Sequence, residues 1–453
     1  MFILKTKKAI LVLSGMLILA ACTSEKKNER AEIASAIEKS ITTELLNKWY
    51  PAAMDTQYGG FLSTWTFDFK PTGEQDKMIV SQARHVWTNS KASEVYKDVA
   101  HYKACATHGF KFLRDVMWDK TYGGFYTLVD RQGKVQREDE IKTAYGNAFA
   151  IYALAAYHHA TGDTSALKLA QDGFLWLEKH SHDPVYKGYF QHLKRDGTVI
   201  RRDETVLSTE DTGYKDQNSS IHLLEAFTEL YQVWPDSLVG VRLKEMLFLI
   251  RDTIVNDKGS LVLFFQPDWT PVSFSDSSEA VIMKHRSLDH VSFGHDVETA
   301  YLMMEASHVA GITDDARTRE VGKKMVDHSL EKGWDDTVGG FYDEGYYFKG
   351  ESDIRITKDT KTWWAQAEGL NTLLIMADLF PEDEHRYFEK FEKMWRYIDT
   401  NLIDHEHGEW YPGGLDKEPQ AKTALKGHIW KAVYHQYRAM ANCVQRLGAK
   451  NAH

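Results

Sequence analysis

Cysteine is scarce in this 453-residue chain: of three residues, only Cys105 and Cys443 lie beyond the first 30 positions. A disulfide framework and a cysteine-built metal site are therefore excluded, with room left for one bridge at most. Proline is also scarce, at nine residues, while 43% of the chain is hydrophobic, so the polypeptide is neither disordered nor collagen-like. Basic charge does not prevail. With 65 acidic residues against 55 basic ones and a net charge of -10, nucleic acid is not an expected partner. A long apolar run is missing as well, because the stretch from Ala9 to Ala21 is too short to span a bilayer comfortably. Aromatic side chains are abundant: 13 Trp, 22 Tyr and 21 Phe would suit a large core or stacking platforms for sugar rings.

The short apolar run reads as an address. Lys5, Lys7 and Lys8 precede it, and Leu19-Ala20-Ala21-Cys22 closes it in the manner of a bacterial lipobox. The reading is a lipoprotein signal peptide over 1–21 and a polar tether over 22–30 that follows a lipidated Cys22. The mature chain would then be anchored to a bacterial envelope membrane, on its periplasmic or cell-surface side. An ordinary secretory signal with a chance cysteine is the plain alternative.

One phrase recurs along the rest of the chain. It reads Tyr58-Gly59-Gly60-Phe61, Tyr122-Gly123-Gly124-Phe125, Tyr186-Lys187-Gly188-Tyr189 and Val338-Gly339-Gly340-Phe341, with weaker cousins at Lys258-Gly259 and at Gly408-Glu409-Trp410-Tyr411. Six units spaced by about 64 to 80 residues fill nearly the whole mature chain. Between them, helical periodicity predicts twelve helices near 31–50, 79–97, 101–117, 143–160, 164–180, 216–233, 238–255, 293–310, 315–331, 361–379, 384–401 and 428–446. Short turns alternate with loops of about 25 to 37 residues, longer than helix connections need. This places every long loop at one end. Closing six helical pairs gives an all-α (α/α)6 barrel, even-numbered helices inside and odd-numbered outside, as a single domain over 31–448, with a monomer expected. The Gly-Gly phrases turn the chain at positive φ and are expected to be structural.

The first turns of the six inner helices would face one cavity at the loop end. They carry Arg84 and Trp87; Tyr145 and Asn147; Asn218 and His222; His295 and Glu298; Trp363, Trp364, Gln366 and Glu368; and Trp430 with His435. Each has a plain explanation as a core residue or ion-pair partner, Arg84 with Glu298 or Glu368 for instance. Coincidence on six separate helices is poorly explained that way. Imidazoles remove and return protons near neutral pH, and a cation stabilises the charge that grows when a carbon beside a sugar carbonyl loses its proton. Two histidines with Arg84 meet that need. Trp363 and Trp364 suit pyranose faces, while Asn218, Gln366 and Glu368 suit hydroxyls. The expected reaction is epimerisation or isomerisation beside the anomeric carbon, on a small-molecule sugar, with no redox cofactor and no metal.

At these residues the chain resembles the N-acylglucosamine 2-epimerases, and among them the cellobiose and mannobiose 2-epimerases. The matching segments are Ala83-Arg84-His85-Val86-Trp87-Thr88, Tyr145 to Phe149, Asn218 with His222, Glu225 and Ala226, Gly294 to Glu298, Trp363 to Glu368, and Trp430 to His435. The resemblance implies an (α/α)6 barrel and proton transfer at carbon 2 of the reducing-end sugar through an enediolate. It implies that His295 and His435 form the acid/base pair, that His222 lies near the anomeric oxygens, that Arg84 meets the enediolate and that Glu298 orients His295. Two segments depart from the disaccharide enzymes, Asn218-Ser219-Ser220-Ile221-His222 and Trp430-Lys431-Ala432-Val433-Tyr434-His435, which bears on the substrate.

Other readings of the same residues are an aldose-ketose isomerase or N-acylglucosamine 2-epimerase of the same family, a metal enzyme using His222, His295, His435 and Glu298, an inverting glycoside hydrolase, and a non-catalytic glycan-binding lipoprotein. The hydrolase needs two opposed carboxylates and leaves three imidazoles without a task.

Overall fold

Apolar faces repeating at helical spacing build the wall of the molecule, and in the computed structural model, which describes residues 29–136, 140–202 and 209–449, they form thirteen helices. The leader and most of the tether, with Cys22, lie outside the described residues; positions 29 and 30 already belong to the first helix, two residues earlier than expected.

Six helices line the inside: α2 (Ile79–Val95), α4 (Ala144–Thr161), α6 (Gln217–Val233), α9 (Phe293–Val309), α11 (Trp363–Leu379) and α13 (Tyr434–Ala449). Each packs on the next and α13 returns to α2, so the ring closes. Outside it run α1 (29–49, with a π turn at Ile41–Leu46), α3 (Ala100–Phe112), α5 (Thr164–His180), α7 (Ser237–Leu249), α10 (Ala316–Gly333) and α12 (Tyr387–Asn401). The inner helices α2, α4 and α11 are buried almost all round, whereas α12 buries one stripe, as the two positions demand. This is an (α/α)6 barrel. Among the described residues no helix is long and apolar enough to cross a membrane.

Two helical predictions need correction. The last inner helix starts at Tyr434, not near 428, because the preceding residues are extended: Gly427 bridges to Trp65, and Lys426 reaches Asp404 at 2.8 Å. An additional short helix, α8 (Glu279–Asp289), interrupts the fourth long loop. It packs through two small clusters separate from the main core, around Tyr214, Val272 and Leu288 and around Ile282, Tyr346 and Phe348.

At the loop end, short strands sew each unit to the next. β1 (Lys77–Met78) pairs with β2 (Leu128–Val129), β3 (Lys142–Thr143) with β4 (His192–Leu193), and β5 (Lys215–Asp216) with β6 (Phe264–Phe265). β7 (Val291–Ser292) pairs with β8 (Glu344–Tyr346), which β9 (Arg355–Lys358) extends. All six phrases fold alike, each closed by one bridge: Met54 to Phe61, Trp118 to Phe125, His182 to Tyr189, Val255 to Leu261, Trp334 to Phe341 and Ile403 to Trp410. Glycine is required at Gly124, where φ is +69° and a Cβ would meet the Trp176 ring at 2.8 Å.

Five of the six phrases are latched by a buried lysine. Lys77, Lys142, Lys215, Lys361 and Lys426 reach Asp55, Asp119, Asp183, Asp335 and Asp404 at 2.8–3.0 Å, and none of these lysine side chains is exposed. The aspartates also accept backbone N–H groups of their own turns, as Asp335 does from Thr337 and Val338. In the fourth unit both members have changed: Asn256 stands for the aspartate and Val291 for the lysine. A latch lost at both ends leaves no buried charge alone.

Candidate active site

The inner helices begin where the sewn loops end, so their first turns share one space at that end. Helices α9 and α11 cross closely there, since a Cβ on Gly294 would lie 2.6 Å from that of Ala365 and 2.8 Å from the Trp364 ring. The Trp364 ring there touches two imidazoles, with centroids 4.6 Å from His295 and 5.9 Å from His435. His222 rests against Tyr145 and Phe149 at 5.1 and 4.8 Å. The Arg84 guanidinium covers Phe149 at 4.6 Å and Tyr434 at 5.2 Å. It donates to the Trp430 carbonyl at 3.0 Å and the Tyr145 hydroxyl at 3.2 Å, while its buried Nε has no protein partner.

Each imidazole is held at Nδ1. His222 is held by Glu225 at 2.9 Å, His435 by Glu368 at 2.7 Å, and His295 by the hydroxyl of Ser292 at 2.8 Å. That leaves Nε2 of each ring as the atom available to a ligand. Burial makes the charged form costly, and the neighbouring His222 and His290 add to this, so His295 is pushed down to about 3. His435 is also driven well below the ordinary histidine value, by burial first and then by Arg84 and Arg438.

Beneath the imidazoles Arg438 joins three carboxylates. Its guanidinium reaches Glu298 at 2.6 Å and Glu368 at 2.7 Å, and it bonds Glu225, which also accepts from Tyr434 at 2.5 Å. One cation cannot neutralise three anions. Burial would raise Glu225, yet Arg438 and the His222 bond hold it at about 2. Burial raises Glu298 to about 7, and the charge of Glu368 adds to that rise. Burial raises Glu368 to about 7 against the pull of Arg438. Donor atoms of Glu298, Glu368 and His435 lie within 4.8 Å of one another, but the first two already bind the guanidinium, and a metal ion there would have to displace it. His222 and His295 are not in that donor group.

The structure thus brings His222, His295, His435, Arg84, Tyr145, Trp364 and Glu368 around one chamber. Several expectations are corrected. Glu298 does not orient His295; it turns to Arg438, and the i,i+3 place is taken by Ser292 on the preceding strand. Asn147 and Gln366 do not offer their amides to a ligand: Asn147 binds Phe125 and Thr143, and Gln366 binds the backbone of Phe341 on both sides. They pin the Gly-Gly phrases, as Gln82 pins Phe61. Trp87 is core, stacked on Tyr152 at 5.3 Å. Trp363 is buried against His428 and Lys431. Trp430 lies on the loop before α13 and is 48% exposed. Asn218 is half-buried in the first turn of α6.

Sequence reasoning passed over Arg438, Tyr434 and Ser292 and gave Glu225 no role. A signal existed for Arg438: it is a cation three residues after His435, in the apolar first half of the helix beside Tyr434 and Tyr437.

The chain is similar to known proteins. A family model described as N-acylglucosamine 2-epimerase (GlcNAc 2-epimerase) matches residues 59–439. A cellobiose 2-epimerase of Bacteroides fragilis is 30% identical over 425 residues, covering 91% of this chain and 98% of that protein. A D-mannose isomerase of Marinomonas mediterranea is 22% identical, over 88% of this chain and 94% of its own. The structure of a cellobiose 2-epimerase from Spirochaeta thermophila superposes with a TM-score of 0.79 at 28% identity, covering 94% of this chain and 98% of the other.

Proposed function

The chain belongs to the N-acylglucosamine 2-epimerase family, and on that premise we propose that it inverts carbon 2 of the reducing-end residue of a disaccharide such as mannobiose or cellobiose. It is a sugar 2-epimerase, an isomerase acting on carbohydrate. The observation that carries the proposed chemistry is the Trp364 ring in contact with both His295 and His435. A sugar lying against that ring would have an imidazole near each face of its reacting carbon.

In this scheme the ring-opened sugar presents its C1 carbonyl and C2–H. One imidazole Nε2 takes the C2 proton, and the C–H electron pair moves into an enediolate. Charge grows on the C1 oxygen, where Arg84, already tied at Nη1 and Nη2, offers its free Nε–H. The second imidazole returns a proton to the opposite face of C2, and the carbonyl re-forms. Glu368 supplies that proton through His435: protonated near neutral pH, it donates to Nδ1 as Nε2–H leaves. His222, braced by Glu225, serves the oxygens at the anomeric end. Delivery of the proton to C1 instead of C2 would give an aldose-ketose isomerase from the same groups. The anchor at Cys22 would hold a monomer to the bacterial envelope, where it would act on glycans outside the cytoplasm.

Incubation with mannobiose, cellobiose, mannose and N-acetylglucosamine in heavy water tests this. The expected result is an epimer of a disaccharide deuterated at carbon 2 of the reducing end. Release of monosaccharides, or no label in any sugar, would overturn it.

A further inference from the structure

A serine at the first boundary of a helix normally caps it, its oxygen accepting a free backbone N–H. Thr143 and Asp216 follow this rule at the starts of α4 and α6, accepting from Gly146 and Ser219, while Thr362 before α11 gives its hydroxyl to Asp343 instead. Ser292 occupies the same boundary of α9 and makes no such bond. Its hydroxyl is spent on Nδ1 of His295, at 2.8 Å. The strand carrying it is the one whose latch lysine has become Val291, and its backbone is held by pairing with Glu344. Ser292 is itself buried.

The other two chamber imidazoles are backed by carboxylates, which when ionised accept from Nδ1–H and stabilise a positive ring. A hydroxyl is neutral. It can accept from Nδ1–H, leaving a bare lone pair on Nε2, and adds little to the stability of an imidazolium. The charged and titratable groups that face His295 from the packed elements are His222 on α6, His435 on α13 and His290 before β7, with no carboxylate among its named partners. Trp364 closes the remaining side.

From this contrast we infer that Ser292 is a positioning residue, which keeps His295 neutral with Nε2 unprotonated toward the sugar and so makes it the base of the resting enzyme. His435, with the proton held at Glu368, is then the resting acid. The inference rests on the epimerase reading given above and adds the direction that reading leaves open.

Three measurements test it on the full chain. In 15N NMR with labelled histidine, the His295 signals should report protonated Nδ1 and unprotonated Nε2 near pH 7; a predominant Nε2–H form overturns the inference, whatever the variants do. Ser292→Ala should lower kcat about 10- to 100-fold with KM within about twofold, a fraction of what general acid/base catalysis supplies. Ser292→Asp should raise the His295 pKa and carry the acidic limb of kcat/KM upward by about one pH unit or more. An unchanged kcat in the first variant and an unchanged pH profile in the second would overturn the assignment. His295→Asn separates the two readings: if it still exchanges deuterium, the proposed chemistry fails; if it does not exchange while the Ser292 variants behave as wild type, only the role of Ser292 fails.

Discussion

Two sets of buried charges, built from similar groups, behave in opposite ways. Around the loop end, each latch sets a lysine against an aspartate, Arg131 and Arg195 join Asp55 and Asp119, Lys361 also meets Asp416, and turn amides supply further donors. In the chamber one arginine faces Glu225, Glu298 and Glu368. The latch carboxyls sit low: burial alone would raise them, but hydrogen bonds and lysine hold Asp55, Asp335 and Asp404 at about 2. Glu298 and Glu368 sit high, at about 7, because burial is not offset by an equal number of cations. Matched charge makes a permanent fastening. Unmatched charge leaves protons that can move at neutral pH, which proton-transfer catalysis uses.

The sharpest way to break the contrast is to remove the cation bonded to the three carboxylates. Arg438→Met should leave buried carboxylates uncompensated, costing about 3–5 kcal/mol in urea unfolding and abolishing deuterium exchange. His435→Asn should lower exchange about 100- to 10,000-fold while the unfolding midpoint stays near wild type, since no buried charge is stranded if Glu368 keeps its proton. On the latch side, Lys215→Met should destabilise more than Lys142→Met: Asp183 loses its lysine outright, whereas Asp119 keeps Arg195 at 2.9 Å. The expected loss for Lys215→Met is about 3 kcal/mol, read by the same unfolding assay with exchange per folded molecule retained.

pH sharpens the comparison further. A carboxyl held at about 2 contributes stability above the unfolded value near 4, lost as pH falls from 4 toward 2. A carboxyl raised to about 7 binds its proton more tightly when folded, so its contribution is present below about 4.5 and is lost as pH climbs from there to 7. Glu298→Gln should therefore flatten the decline of the melting temperature between pH 4.5 and 7 and leave the acid limb unchanged. The smallest effect is expected from restoring the absent latch. Asn256→Asp combined with Val291→Lys should change stability by no more than about 1 kcal/mol, because desolvation offsets the attraction of a new buried pair.

The ring of inner helices was legible because complete burial and one-sided burial leave different periodicities, and the six phrases because each repeats the same turn. His222, His295, His435 and Arg84 were legible as polar residues recurring at inner-helix starts. Asn147 and Gln366 stand at equivalent starts, yet they point back to the loop: a residue three positions into each helix faces the preceding phrase, as Gln82 also shows. Local spacing does not separate these two directions. The start of α13 was misplaced because residues 426–433 carry helix-compatible side chains, while Lys426 and Lys431 are drawn to Asp404 and Glu409 in a path that turns tightly between His428 and Lys431.

What the linear chain determined was composition, period and count: twelve barrel helices in six units, long loops at one end, and imidazoles placed to meet there. Those properties follow from short-range patterning, which a sequence displays directly. Only the tertiary structure decided which partner each polar group took, that Ser292 went to His295, Glu298 to Arg438 and Glu225 to both His222 and Arg438. Such choices join residues as far apart as 213 positions, and they depend on distances of a few tenths of an ångström that no spacing rule encodes.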